Sequence, residues 1–149
     1  MAKRNSLKED ACPVARSMEA IGDCWSMLII RDAMLGKKRF GEFQKSLGVA
    51  KNILTMRLRA LLDDGLLKLE PGADGSAYQE YVLTDKGRAV FPIMVALRQW
   101  AEDYAFKPGE ETNIMVDRET GRRIRKLELH ADDGRLLDLG DVTLKPATA

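Results

Sequence analysis

Two thiols, one imidazole and a dense block of cations are the residues of this 149-residue chain whose types could do chemistry. Cys12 stands before Pro13, where proline favours the first turn of a helix. A thiol at such a position faces the positive end of the helix, which favours its thiolate. Cys24 stands beside Trp25 in an apolar stretch and is expected to be buried and inert. Two cysteines make neither a disulfide framework nor a four-thiolate zinc site. His130 is the sole histidine and lies in the tail, where Asp132 and Asp133 are explained by a turn. Gly72 and Gly75 are spaced as a turn, without the helix and lysine that a phosphate loop requires. No catalytic set emerges, so no enzyme is expected and no cofactor is implied.

The cations are more informative. The chain as a whole carries a net charge of +1. Between Gly36 and Arg59, however, seven basic residues (Lys37, Lys38, Arg39, Lys45, Lys51, Arg57 and Arg59) meet one acid, Glu42. A net +6 over that stretch is the local phosphate attraction that duplex binding requires. Most charge runs are only solvated helix faces, so the elements beneath this one decide its meaning.

Those elements read as an α+β chain, mainly α. A polar start over residues 1–10 shows no apolar stretch behind its charges, so no signal peptide is expected. No apolar run approaches the ~20 residues of a membrane span, and the expected location is the cytoplasm, with no membrane partner. Helices are predicted over Pro13–Ile21, Cys24–Leu35, Phe40–Leu47 and Ala50–Asp64, punctuated by Gly22, Gly36, Gly48 and Gly65. Leu66–Glu70 and Tyr78–Thr84 alternate as strands of a hairpin with a flexible tip at 71–77. Thr84 caps a long helix reaching Phe106, with a kink or short break at Pro92. Residues 107–149 contain four short extended runs, Asn113–Asp117, Arg122–His130, Arg135–Leu139 and Val142–Lys145, expected to form a small β-rich extension. The domain from 11 to 106 is therefore a helix-turn-helix followed by a β wing, whose second helix enters a DNA major groove.

At ~100° per residue, the inward stripe Leu54, Leu58, Leu61 and Leu62 leaves Asn52, Met56, Arg59 and Asp63 on the opposite face, with Thr55 at its edge. Base contacts come from the first part of a recognition helix, which selects Asn52, Thr55, Met56 and Arg59. Asn reads adenine and Arg reads guanine through paired hydrogen bonds, while a methionine methyl meets that of thymine. Lys51 and Arg57, with Lys37, Lys38, Arg39 and Lys68, are the candidate phosphate contacts.

These residues resemble a family. Cys12-Pro13-Val14, Gly22-Asp-Cys-Trp25 and Leu28-Ile-Ile-Arg31 are similar to the opening of HxlR-type transcriptional regulators, relatives of MarR-type proteins. Arg39-Phe-Gly-Glu-Phe43, Leu54-Thr-Met-Arg-Leu58 with Asp64-Gly-Leu66, Tyr81-Val-Leu-Thr84 and Leu97-Arg-Gln-Trp100 continue the match to about Phe106. The resemblance implies a homodimer on an inverted-repeat operator, with contacts from the first and last helices: Val14, Met18, Ile93, Leu97, Trp100 and Tyr104. Family members that sense oxidants or electrophiles use the cysteine at the position of Cys12, so a sensing role is implied there. An apolar small-molecule effector among Trp25, Phe91, Trp100 and Tyr104 is a further partner that such a dimer could take.

The chain departs from the family in three places. Ala50 stands where a serine is common at the start of the recognition helix. The wing tip carries Asp74 and no base, with Lys68 the nearest cation. The tail resembles a cysteine-bearing ribbon but has Thr120, His130 and Asp133 where thiols would stand, so it is expected to be metal-free. The rival reading is a winged-helix module that binds protein and lacks sequence-specific DNA binding. It would not need the Lys37–Arg59 cluster, and it would turn apolar residues outward where only Ile53 and Met56 lie. Repression by occlusion is the simplest mode for a compact dimer.

Overall fold

A computed structural model describes residues 5–147 of the chain. Six α-helices and a two-stranded sheet follow in the order α1 (Pro13–Ile21), α2 (Cys24–Met34), α3 (Phe40–Leu47), α4 (Lys51–Asp63), β1 (Leu67–Pro71), β2 (Gln79–Leu83), α5 (Asp85–Arg88) and α6 (Phe91–Tyr104), with a 3-10 turn at Leu139–Asp141. The described residues fall into two compact units, and the boundary between them lies inside α6, between Met94 and Val95.

The first unit is organised around α2. Ile29 and Ile30 are fully buried there, together with Phe43 of α3 and Leu54, Leu58 and Leu61 of α4. Asp23 caps α2 by accepting from the Ser26 amide at 3.1 Å. Asp32, near the other end of the helix, is buried and accepts from the Arg31 guanidinium at 2.9 Å. Gly48 makes the turn between α3 and α4 at φ 61°, in the left-handed region where a side chain costs roughly 1–2 kcal/mol. Its N–H closes α3 on the Gln44 carbonyl at 2.9 Å.

The wing is an antiparallel hairpin in the register Leu67↔Leu83 to Pro71↔Gln79. Two contacts tie it to the helices. The Tyr81 N–H donates to the Lys38 carbonyl at 2.8 Å, which ties the α2–α3 connection to β2 by a backbone hydrogen bond. The Tyr81 ring meets Phe43 edge-on, with centroids 6.2 Å apart. At the base of the wing, Thr84 Oγ1 accepts from the Gly87 amide, capping α5, and donates to the Gly65 carbonyl at the end of α4. The predicted break near Pro92 falls at Ala89–Val90, and Pro92 is the second residue of α6, where its missing N–H leaves no helical bond unmade.

The second unit holds the rest of α6 and the tail. The extended runs expected there do not join into a ladder. They pair through two isolated bridges, Val116↔Arg123 and His130↔Leu136. The Gln99 side-chain amide stands in for a neighbouring strand, donating to the Arg125 carbonyl at 3.1 Å and accepting from the Leu127 N–H at 2.9 Å. Acid-built turns supply the remaining order: Asp117 and Asp133 accept from backbone amides two or three residues on, and Asp138 caps the 3-10 turn.

Gly87 and Gly41 test this packing in opposite directions. A Cβ at Gly87 would come within 2.1 Å of the Leu66 carbonyl oxygen, whereas one at Gly41 meets nothing within 4 Å. Urea unfolding of Gly87→Ala is therefore expected to show a loss on the order of 2 kcal/mol, since backbone must move. Gly41→Ala should be neutral or gain up to ~1 kcal/mol by restricting the unfolded chain. Equal effects of the two substitutions would contradict the close approach at Gly87.

Candidate nucleic-acid interface

Burial of the leucine stripe decides what α4 shows to water. Asn52, Thr55, Met56 and Arg59 are all exposed along its outer face. The Thr55 hydroxyl donates to the Lys51 carbonyl one turn back, at 2.8 Å. Ala50 occupies the N-cap with no side-chain hydrogen bond, so the first amides of α4 are uncapped. Ile53, expected to face outward, is instead partly buried against the core.

The cations divide into two groups. Lys37, Lys45, Lys51 and Arg59 form no ion pair among the described residues. Lys37 and Lys45 line one shallow hollow with Glu42 and Ser46, which brings the α2–α3 connection beside the last turn of α3. The others are engaged. Lys38 Nζ lies 3.7 Å from Glu80, Lys68 Nζ 2.9 Å from Glu70, and Arg57 Nη2 3.1 Å from Asp23. Arg57 thus links α4 to the start of α2. Lys45 is absent from the phosphate contacts expected from the sequence, although its place on α3 four residues after Gly41 is open to the same helical reading.

Arg39 has the most elaborate surroundings. Its Nη2 donates to Asp74 at 2.6 Å and to the Ser76 hydroxyl at 3.3 Å, with Glu80 at 3.9 Å and the Tyr78 ring 5.9 Å below. This pins the wing tip to the start of α3. Hydrogen bonds from Ser76 and then from Arg39 hold the Asp74 carboxyl far below the ordinary carboxylate range. Glu42 accepts from the Lys38 and Arg39 amides at 2.7 and 3.1 Å, which also lowers its pKa.

Both thiols are exposed. Cys12 is the N-cap of α1, its own amide donating to Asp10 at 2.8 Å. The expectation of a buried Cys24 is corrected: it is the first residue of α2, where the helix has not yet entered the core, and only from Ser26 onward does burial begin. Val14 and Met18 of α1, and Ile93, Leu97, Trp100 and Tyr104 along α6, are all exposed apolar side chains. Trp100 and Tyr104 stack obliquely, with centroids 5.8 Å apart. In the tail, His130 contacts the Gly134 carbonyl at 3.1 Å and Glu128 at 3.0 Å, and Asp133 pairs with Arg135 at 2.9 Å. Among the described residues no cluster of three metal-ligating side chains occurs, and no helix is long and apolar enough to cross a membrane.

Four helices with a glycine turn before the last, a hairpin wing and a following long helix define a winged helix-turn-helix protein. Residues 20–108 match the family model described as HxlR-like helix-turn-helix, and the chain belongs to that family of transcriptional regulators, related to MarR-type proteins and not enzymes. An uncharacterised HTH-type transcriptional regulator of Mycobacterium tuberculosis, Rv3095, is 38% identical over 95 residues, which is 64% of this chain and 60% of the relative. The chain therefore matches less than two thirds of that relative's length. The crystal structure of PA1607, a candidate transcription factor, is 52% identical and superposes with a TM-score of 0.90 over 95% of this chain and 99% of that one. The redox regulator HypR in its oxidised form is 33% identical, with a TM-score of 0.56 over 62% of this chain and 96% of its own.

The Arg39–Asp74 tether gives a pH signature. A carboxyl whose folded pKa is depressed contributes stability above its unfolded value, near 4, and loses it as pH falls through the folded value. Parent protein is thus expected to resist urea better than Asp74→Asn at pH 6. The gap between them should close progressively below about pH 4. A gap independent of pH would mean that Asp74 acts by shape alone.

Proposed function

We propose that this chain is a sequence-specific, homodimeric DNA-binding regulator, acting as a repressor at an inverted-repeat operator. The observation that carries the reading is a set of cations that form no ion pair among the described residues, Lys37 and Lys45 beside α3 and Lys51 and Arg59 on α4, a recognition helix whose exposed first half presents Asn52, Thr55 and Met56. Such a surface attracts phosphate by charge and discriminates bases by hydrogen bonds and methyl contact. In this reading Lys51 and Lys37 hold the backbone. Lys38, Arg39, Arg57 and Lys68 reach phosphate only by exchanging their present carboxylate partners. The wing lies along the backbone, its tip acid bound to Arg39. Dimer contacts come from Val14 and Met18 on α1 and from the α6 face of Ile93, Leu97, Trp100 and Tyr104. Two-fold symmetry places the paired recognition helices ~34–36 Å apart, one turn of the duplex. The site of action is the cytoplasm.

Cys12 is the proposed redox input. Its exposure at a helix N-cap supports it, as does the likeness to HypR, a redox regulator. The Cys12 thiol and a second thiol, that of the partner protomer or of a small molecule, give up two protons and two electrons to the oxidant as their S–S bond forms, and the new linkage biases the spacing of the two recognition helices.

Fluorescence anisotropy of the reduced protein on duplex from its own upstream region, against a scrambled competitor and with salt varied, tests the reading. Tight binding that weakens steeply with salt and survives the competitor is expected. Arg59→Ala should cost about 1–3 kcal/mol and relax base discrimination, whereas Lys51→Gln should weaken both duplexes alike and flatten the salt slope by about 0.9 for the phosphate it no longer holds. Absence of binding at low salt would overturn the DNA reading in favour of a protein-interaction module. In the same assay, oxidant should release the parent but not Cys12→Ser. Equal release of both would remove Cys12 from the mechanism.

A further inference from the structure

We propose that the turn spanning residues 118–126 in the tail is a second contact to duplex DNA, one that grips phosphates and reads no bases. The inference rests on the DNA-binding reading above. Five of these nine residues are basic (Arg118, Arg122, Arg123, Arg125 and Lys126) and one, Glu119, is acidic. That is a local charge of +4 in a chain whose total is +1.

The turn is a built structure. Asp117 accepts from the Glu119 and Thr120 amides at 2.7 and 2.9 Å, its own N–H donates to the Arg122 carbonyl at 2.8 Å, and Gly121 takes φ 68° at the reversal. The Val116↔Arg123 bridge closes it. The adjacent acid is thus engaged by backbone amides. Lys126 pairs with Asp103 at 2.5 Å, but Arg118, Arg122, Arg123 and Arg125 are exposed and form no ion pair among the described residues. Elsewhere in the same unit Arg135 pairs with Asp133 and His130 with Glu128, while Lys107 and Lys145, which also form no ion pair among the described residues, stand singly along the chain. Four unmatched guanidiniums on one short turn repel one another, a cost that a polyanion removes.

The surroundings select duplex phosphate. A protein partner would need an apolar centre to the patch, yet Ile124, the one apolar residue within the turn, is half-buried, and the exposed Val116 and Leu127 lie only at its two ends. Single-stranded nucleic acid is held by stacking on aromatic rings; residues 107–149 contain no Phe, Trp or Tyr, and the exposed Trp100 and Tyr104 of α6 belong to the face proposed for the dimer. What remains on the surface is guanidinium, whose planar fork suits paired hydrogen bonds to phosphate oxygens.

The test uses the full chain with Arg118→Gln, Arg122→Gln and Arg125→Gln combined, on fluorescein-labelled duplex from the upstream region and on its scrambled counterpart. Affinity for both should fall together, on the order of tenfold, leaving their ratio unchanged. The plot of log K against log salt should flatten by about 0.9 for each phosphate no longer gripped. Arg→Lys at the same three positions should keep the parent's salt slope, since the charge remains, while losing part of the affinity with the paired hydrogen bonds, and the melting temperature should match the parent's. If the triple variant is destabilised, the single Arg118→Gln should still flatten the slope by about 0.9. Unchanged affinity and slope while the parent binds would overturn the tail contact and leave the winged-helix reading standing. Weakening confined to the upstream duplex would overturn phosphate-only contact. A parent that binds neither duplex would overturn both readings.

Discussion

The burial of Leu54, Leu58 and Leu61 against Ile29, Ile30 and Phe43 is the constraint on which the rest of this molecule turns. A helix has one rotation about its axis, and three buried leucines fix it for α4. Each such side chain contributes about 1.5–3 kcal/mol by leaving water, so no alternative rotation competes. Once that face is inside, Asn52, Met56 and Arg59 must be outside. Phe43 serves twice, filling the core beneath α4 and presenting its edge to Tyr81, so the same apolar cluster sets the recognition helix and the wing. Thr84 completes the coupling by joining the end of α4 to the start of α5.

On this scaffold the cations have taken on separate roles. Arg57 braces α4 to α2, and Arg39 fastens the wing tip to α3. Lys37, Lys45, Lys51 and Arg59 brace nothing among the described residues. A sum of charges treats these alike, but a guanidinium already paired with a carboxylate adds far less to phosphate attraction than one facing water. The same distinction sets the tail arginines apart from Arg135. Many of the acids, by contrast, are engaged in caps, turns and pairs, among them Asp23, Glu42, Asp74, Asp117 and Asp138, so a net charge of +1 does not describe what each face shows to water.

Much of the winged helix is legible in the sequence because its punctuation is local. Gly36, Gly48 and Gly65 mark helix ends, and each takes positive φ. Leucines at helical spacing give the inner face of α4, and Pro92 marks the break before α6. What stays hidden is long-range. Arg39 meets Asp74 thirty-five residues away and Arg57 meets Asp23 across the core, and neither pairing leaves a mark in spacing. Cys24 escapes the sequence reading because an apolar neighbourhood says nothing of where along a helix burial begins. The tail reads as strands since alternation is all that short runs display, whereas Gln99 and a series of acid-built turns supply its order. The family resemblance, which carries the dimer contacts and Cys12, comes from several motifs in one order and not from any single residue.

Hydroxyl-radical footprinting on duplex from the upstream region tests the central claim, that α4 enters a major groove once per protomer with unpaired cations beside it. Two protected tracts per strand are the predicted result, with centres ~10–10.5 base pairs or a whole multiple apart. Both tracts should vanish together when Lys51 and Arg59 are replaced by Gln. A footprint that survives that double replacement, or protection without two-fold symmetry, would contradict the account.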